Sequence, residues 1–503
     1  MQLFPDFETF ARAYSEGRNQ VVYTRLVADL DTPVSIMLKL AGGRANAFML
    51  ESVTGGDQRG RYSGVGLKPD LIWRCRGPKA EINRQARFDV DAFEADTRAP
   101  LESFRAVMED SRIDLPDGLP AMAAGLFGYL GYDMVRHVEH LPNVNPDPLD
   151  VPDAIMMRPT VTAIVDGVKG EVTVVSPAWV ADGLSARAAY AQAAERVMDA
   201  VADLDRAPLA DARALNDAAS MEEPVSNTTK DRYFEIVAQA KEHIKAGDIF
   251  QVVPSQRWSV PFKPSAFTLY RALRRTNPSP YMFYYDFGGF QIVGASPEIL
   301  VNVTGQTVTI RPIAGTRPRG ETPEADVALE KDLLADQKEL AEHLMLLDLG
   351  RNDVGRVADI GTVTPTEQFI IERYSHVMHI VSNVEGRLRK DVDALAALLA
   401  GLPAGTVSGA PKVRAMQIID ALESEKRGVY GGGVGYFSAG GDMDVCIALR
   451  TAVVKDGTLY VQAGGGVVYD SDPEAEYQET VAKARALMRA AEDAHRIEGT
   501  GNR

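Results

Sequence analysis

Cysteine is almost missing from this chain: 503 residues hold two, Cys75 and Cys446, far apart and without CxxC spacing. That excludes a disulfide framework and a thiolate metal site and leaves both residues to pack. Positive charge is also short, with 54 Lys+Arg against 70 Asp+Glu and a net charge of −16. Such a balance argues against a surface made for nucleic acid or anionic lipid, while leaving room for a local basic pocket around a small anion. No run approaches the roughly 20 apolar residues of a membrane span. The start, MQLFPDFETFARAY, lacks a basic region followed by an apolar core, so the cytoplasm is the expected location. No phosphate loop is present either: GTVSGAPK at 405–412 lacks GxxxxGK[ST] spacing, and GGGVGYFS at 431–438 lacks the last glycine of a dinucleotide fingerprint. No Ser-His-Asp or Cys-His arrangement follows from spacing.

What is present reads as a soluble globular chain, 45% hydrophobic and 25% charged, with room for two or three ordinary domains or fewer large ones. Stretches 21–27, 47–52, 61–67 and 70–76 alternate or run apolar between glycine-rich turns, and 160–165 with 171–175 forms a hairpin around Asp166-Gly167. Helical periodicity marks 101–113 and 181–204. Between 205 and 229 the chain turns polar, which separates a β-rich region, 1–220, from a second region, 225–503. There a helix over 230–246 precedes a strand over 249–260, two strands joined at Gly288-Gly289, a PIAGTRPRG loop (312–320) and one helix over 322–347. Strands 430–438, 443–455 and 458–463 follow, joined by turns short enough to require antiparallel neighbours. The expected class is α+β, with antiparallel sheets flanked by helices.

Two acidic pairs stand out. Asp472-Pro473 opens a helix on which Glu476, Glu479 and Lys483 share a face beside the turn Gly464, Gly465, Gly466. In the 322–347 helix Glu339 and Glu342 lie three apart, with His343 one turn beyond Glu339 and Leu333, Leu340, Leu344 and Leu347 forming an apolar stripe. If these carboxylates border the interior they need a cation or hydrogen-bond donors, and Mg²⁺, which takes oxygen ligands and keeps waters, would serve; two solvated helix faces show the same spacing. On the 443–455 strand Arg450 shares a face with Cys446 and Ala448, which leaves space for a ligand carboxylate unless that face is wet. Tyr430 and the glycines at 431–433 and 464–466 favour an anion. His379 is either a satisfied structural group or a proton carrier.

Together PIAGTRPRG, KELAEHLMLLDLGRNDVGRV, RYSHVMHIVSNVEG, LPAGTVSGAPKVRAM, YGGGVGYF, the arginine of DVCIALRTAVV and AGGGVVYDSDPEAEYQET resemble the chorismate-utilising enzymes, most closely the large subunits of anthranilate synthases. The N-terminal half matches through MLESVTGGDQRGRYS and GLFGYLGYD. The resemblance implies the fold of that family and a Mg²⁺-dependent reaction in which ammonia adds to ring carbon 2 of chorismate, the carbon 4 hydroxyl leaves, and pyruvate is eliminated. It implies Glu342 and Glu479 as principal metal ligands flanked by Glu339 and Glu476, Glu339 also protonating the departing hydroxyl. Arg450, Tyr430, Gly464, Gly465, Gly466 and Lys483 would hold the enolpyruvyl carboxylate. Thr406 and His379 would line the ring side, His379 serving the elimination, and Gly315 and Thr316 would form a wall. Gln251 stands where water-adding relatives carry a lysine base, and Ala314 where aminodeoxychorismate-forming relatives carry a lysine nucleophile; both favour direct attack by ammonia.

The resemblance further implies tryptophan feedback at Glu51, Ser52, Pro280, Tyr281 and Met282, where strand-edge packing is the alternative. Because no amidotransferase segment with a nucleophilic cysteine is apparent, a glutamine amidotransferase subunit (component II) is the expected partner, in a heterotetramer. The competing readings are an aminodeoxychorismate synthase, and a silent tryptophan-sensing or amidotransferase-binding subunit. The latter is expected to lack one of the four glutamates, and none is missing.

Overall fold

Alternating apolar residues become antiparallel ladders that tie the two halves of the chain together. Ala47–Glu51 pairs with Tyr62–Arg76 on one side and with Tyr281–Asp286 on the other, and Gly125–Leu130 pairs with Gly433–Ser438. The structure is a computed structural model that describes residues 1–52, 60–142, 144–206, 221–374 and 377–498. Residues 53–59 of the MLESVTGGDQRGRYS motif, 375–376 of RYSHVMH and 207–220 of the expected inter-region stretch lie outside the described residues. Among those described, 21 strands join into one hydrogen-bonded network, with helices on its outer faces, so the chain is α+β.

Apolar side chains on both faces of the strands build the layers. Pro33–Ala41, Ala186–Leu204, Ala266–Thr276 and Pro473–Glu498 cover one sheet surface. Pro100–Asp110, Gln337–Gly355 and Ala394–Gly401 cover another. Between the sheets lies an aromatic-rich core that includes Phe48, Phe127, Phe283 and Tyr285, with the Phe48 and Phe127 rings stacked 4.4 Å apart. Cys446 is buried in that core and Cys75 in the layer under Pro100–Asp110, so both pack as expected.

Several elements differ from expectation, each for a local reason. Stretches 61–67 and 70–76 fuse into one strand, Tyr62–Arg76, whose register shifts at Pro69. The 249–260 strand breaks into Gln251–Val252 and Ser255–Pro261, with Pro254, which has no N–H to give a ladder, between them. PIAGTRPRG is not a loop: Ile313–Pro318 is a strand paired with Val377–Arg387. The 322–347 helix is two helices, Pro323–Ala335 and Gln337–Gly355, because Asp336 leaves helical geometry (ψ 105°) and caps the second helix by accepting from the amides of Lys338 and Glu339. The break re-aims the stripe: His343, Leu346 and Leu347 point inward, while Leu344 is 56% exposed.

The 443–455 strand also divides. Met443–Ile447 pairs with Ile299–Thr304 and Gly433–Ser438, whereas Thr451–Lys455 pairs with Gln291–Ser296 and Thr458–Gly464. The chain changes partners at 448–450, and Arg450 takes left-handed geometry there (φ 47°). It sits at the crossover, not on a ladder face shared with Cys446.

Asp336 holds two helices and accepts from Arg317 at 2.7 Å. Asp336→Ala is expected to lower unfolding free energy by about 1–2 kcal/mol and Asp336→Asn, which keeps the cap, by less than half as much, as read from urea denaturation.

Candidate active site

Strand ends and helix starts converge on a cavity of about 680 Å³. One wall is the Gln337–Gly355 helix, which brings Glu339 and Glu342; the facing wall is the Pro473–Glu498 helix, which brings Glu476, Glu479 and Lys483. Strands close the remainder with Gln251, Gly315, Thr316, His379 and Gly464, and the segments between elements add Tyr430, Arg450 and Gly466, with Thr406 on a short helical turn. Gly465 alone of the expected set does not line the cavity. It stands directly behind, where a β-carbon would lie 3.2 Å from Glu476 Oε2 and 3.3 Å from the Tyr233 hydroxyl. The neighbouring glycines are needed for the same close approach: a β-carbon on Gly466 would meet Gln251 Nε2 at 2.7 Å.

The two acidic pairs share this cavity, and Glu339, Glu342 and Glu476 are held above the usual carboxylate range. Burial raises the Glu342 carboxyl, with Glu479 across the cavity adding to it, and Glu342 in turn adds to the burial that raises Glu339. Glu476 is raised by burial and then by Glu479. Glu342 accepts from Gln251 Nε2 at 3.2 Å, Glu479 pairs with Lys483 at 2.6 Å, and Glu476 takes a 2.7 Å bond from Ser471 while its Oε2 is buried without a partner. Among the described residues no three acidic or imidazole groups are drawn into a ready-made metal cage. The donor set nevertheless suits a hard cation that takes one or two carboxylates and keeps its waters. All four are oxygen donors, they repel one another, and one buried oxygen has no partner.

The opposite charge is supplied by Arg450 and Lys483. Among the described residues the Arg450 guanidinium has no carboxylate partner, and burial pulls its pKa down without removing its charge. Lys483 donates to the Gly464 carbonyl at 3.0 Å. His379 is kept neutral, pushed down to about 4 by burial. Its Nδ1 bonds the Gly315 carbonyl at 3.2 Å and lies 3.0 Å from Thr316 Oγ1, which puts the proton on Nδ1 and leaves Nε2 as an acceptor.

Sequence reasoning missed Glu298. It is 6% exposed, lines the cavity, and accepts from Thr406 Oγ1 at 3.3 Å. Burial pushes its carboxyl up to about 8, so it carries a proton at neutral pH. The available signal was a lone acid inside an apolar run, GASPEILVNV, where an unpaired carboxylate is costly. Tyr374 was also missed; it lines the cavity beside His379, ring centroids 5.5 Å apart.

A second cavity, about 220 Å³, is lined by Glu51, Ser52, Pro280, Tyr281 and Met282, the residues expected to bind an effector. Glu51 is already engaged there, accepting from Tyr270 at 2.7 Å and from Arg274 at 2.7 and 2.8 Å.

Comparison with known proteins identifies the family. Residues 49–489 match the family model described as chorismate binding enzyme. The chain belongs to that family. As a chorismate binding enzyme it is 71% identical over 488 residues to anthranilate synthase component 1 of Cereibacter sphaeroides, covering 97% of each chain. It is 49% identical to the component 1 of Pseudomonas aeruginosa, covering 96% of this chain and 98% of that one. The crystal structure of anthranilate synthase component I from Streptococcus pneumoniae superimposes with a TM-score of 0.76 at 36% identity, over 92% of this chain and 99% of that one. The family fold also extends to the menaquinone-specific isochorismate synthase of Escherichia coli, TM-score 0.71 at 20% identity, over 96% of this chain and 98% of that one.

Glu298 has a consequence for stability. The folded chain holds its proton to about pH 8 whereas an unfolded glutamate releases it near 4.5, so this group lowers stability as pH rises between those values and changes nothing above them. Glu298→Gln is expected to gain stability relative to the parent from pH 5 to pH 8, read from urea midpoints at both ends; an unchanged difference refutes the assignment.

Proposed function

We propose that this chain is the aminating subunit that forms anthranilate and pyruvate from chorismate and ammonia. The observation that carries the reading is the Arg450 guanidinium, without a carboxylate partner among the described residues, lining one cavity with four glutamates, in a chain 71% identical to an anthranilate synthase component 1. Chorismate carries two carboxylates, and the cavity offers each a separate place.

Arg450, Tyr430, the cavity wall at Gly464 and Gly466 and Lys483 take the enolpyruvyl carboxylate, with Gly465 behind them giving its amide to the Pro254 carbonyl. Glu342 and Glu479, flanked by Glu339 and Glu476, would hold Mg²⁺, which when bound neutralises the ring carboxylate and eases loss of the hydroxyl. Glu298 gives the departing hydroxyl its proton. It fits that task better than Glu339, whose side chain is 26% exposed and has Arg317 within 3.7 Å, because a buried neutral acid beside the ring is the form that can donate at pH 7. Thr406, bonded to Glu298, fixes where that proton points. Nε2 of neutral His379 takes the ring proton in the elimination of pyruvate, with Gly315 and Thr316 holding the ring of the histidine.

Gln251 cannot deprotonate water and Ala314, also on the cavity wall, cannot act as an amine nucleophile, which supports direct attack by ammonia and an ortho product. Neither cysteine can serve as an amidotransferase nucleophile here, since both are buried and burial pushes the Cys75 thiol up to about 12. Ammonia is therefore supplied by a glutamine amidotransferase partner, component II, in a cytoplasmic heterotetramer. No helix among the described residues is long and apolar enough to cross a membrane. The region 1–220 carries much of the effector cavity and 225–503 the catalytic one, and tryptophan binding at Glu51, Ser52, Pro280, Tyr281 and Met282 regulates turnover.

The purified chain given chorismate, Mg²⁺ and ammonium at alkaline pH is expected to make anthranilate, to stop on chelation and to recover with added Mg²⁺; para-aminobenzoate, or no product, overturns the reading. Glu298→Gln is expected to lower kcat by about 10²–10⁴-fold. Ser52→Phe is expected to raise the half-inhibitory tryptophan concentration by about tenfold or more while uninhibited kcat stays within about twofold; loss of both together overturns the effector assignment.

A further inference from the structure

Two residues of the sequence motifs, left unused by this chemistry, meet behind the active site. Asp353 of the GRND run and Lys412 of SGAPK form an ion pair at 2.7 Å, with residues 4% and 8% exposed. Lys412 also reaches the carbonyls of Ala400 and Gly401, both at 3.3 Å, so its three donors are all engaged. Asp353 uses only Oδ2 in this pair. Its Oδ1 is buried with no partner, the kind of acceptor that an internal water satisfies.

A small cavity of about 30 Å³ lies at this place, lined by Asp353, Glu298, Thr406, Gly350 and surrounding apolar residues. One water needs about 10–15 Å³ and two or more polar partners, and the wall supplies both. Glu298 and Thr406 line the small cavity and the large one alike. Whatever fills the small cavity therefore lies beside Glu298, the residue that the two cavities share.

We propose that this cavity is a water site, held by the Asp353–Lys412 pair, whose water donates a hydrogen bond to Glu298 once that carboxyl has given its proton to the departing hydroxyl. One O–H of the water is directed to Asp353 Oδ1 and the other to the new Glu298 carboxylate, and no covalent bond of the water changes. Asp353 is thus a positioning residue, acting on Glu298 through the water. The inference rests on the reading of Glu298 as proton donor.

Gly350 provides the test. A β-carbon there would touch Ile310 and Pro312 at 3.6–3.9 Å, ordinary contact, so Gly350→Ala takes cavity space without moving its neighbours, and Gly350→Ser puts a hydroxyl where the water would sit. Gly350→Ala is expected to lower kcat about tenfold, the worth of one hydrogen bond to a charged group, with KM for chorismate unchanged and Tm no lower than the parent's. Gly350→Ser is expected to keep kcat within about threefold. Wild-type kcat in the alanine variant, or equal loss in both variants, overturns the proposal. A high-resolution crystal structure of the parent is expected to show a water bonded to Asp353 Oδ1, and no density there overturns the site whatever the kinetics. Full turnover by Glu298→Gln would instead overturn the donor reading, leaving the crystal density to decide the water site.

Discussion

The active site depends on one buried ion pair, Glu423–Arg427. Arg427 is 2% exposed; its Nε and Nη2 hold Glu423 at 3.0 and 2.6 Å, while Nη1 and Nη2 reach the carbonyls of Val407 at 2.6 Å and Val253 at 2.7 Å. Glu423 in turn accepts from the amide and hydroxyl of Ser255, both at 2.8 Å, and Ser255 accepts from Gln462 at 2.8 Å. The guanidinium lies over the rings of Tyr132 and Tyr430, 4.7 and 5.5 Å from their centroids. A single planar group thereby sets the segments that carry Gln251, Thr406, Tyr430 and Gln462. Lysine could not replace it, having one point charge and three donors where a planar fork makes four hydrogen bonds. Removing either partner strands a charge in the interior, a loss of about 3–5 kcal/mol.

Against that scaffold the carboxylates divide by environment. Glu298 is enclosed by apolar strands with one hydroxyl donor, so neutrality is the cheaper state and it becomes a proton store. Glu339, Glu342, Glu476 and Glu479 face a roomier cavity in two opposed pairs, an all-oxygen donor set whose mutual repulsion a bound cation would relieve. The same residue type acquires two roles, and the difference lies in what surrounds it, not in the residue.

That is also why the sequence revealed one set and not the other. Pairs at spacings of three and four on recognisable helices, beside a glycine turn, announce Glu339, Glu342, Glu476 and Glu479 without any knowledge of the sheet. Glu298 has no partner of that kind nearby in sequence; its character comes from burial that only the assembled layers create, and its hydroxyl partner, Thr406, is 108 residues away. Arg450 was legible as a residue but not in its geometry, because the strand's change of partner at 448–450 is set by Ile299–Thr304 and Gln291–Ser296, both distant in the chain. The class, the antiparallel turns and most element positions could be read from alternation and turn residues. The break at Asp336 could have been read too, since an aspartate three residues before Glu339 is a helix-start signal, but continuous apolar spacing across it masked the stop.

The two cavities are joined by a short piece of backbone. Asn277, Pro278 and Ser279 line the large cavity, and Pro280, Tyr281, Met282 and Phe283 line the small one. The helix Ala266–Thr276 that enters this segment is tied by Arg274 and Tyr270 to Glu51, whose strand forms the small cavity's edge and pairs with Tyr281–Asp286. Two proline-containing steps leave the segment little freedom to absorb a displacement locally. A ligand that binds the small cavity better in one position of 280–283 must therefore bias 277–279 as well, and by linkage a substrate that prefers one position of 277–279 changes affinity at the small cavity by the same factor. Coupling of this kind needs no relay across the core, only two sites that share a stiff strand entry.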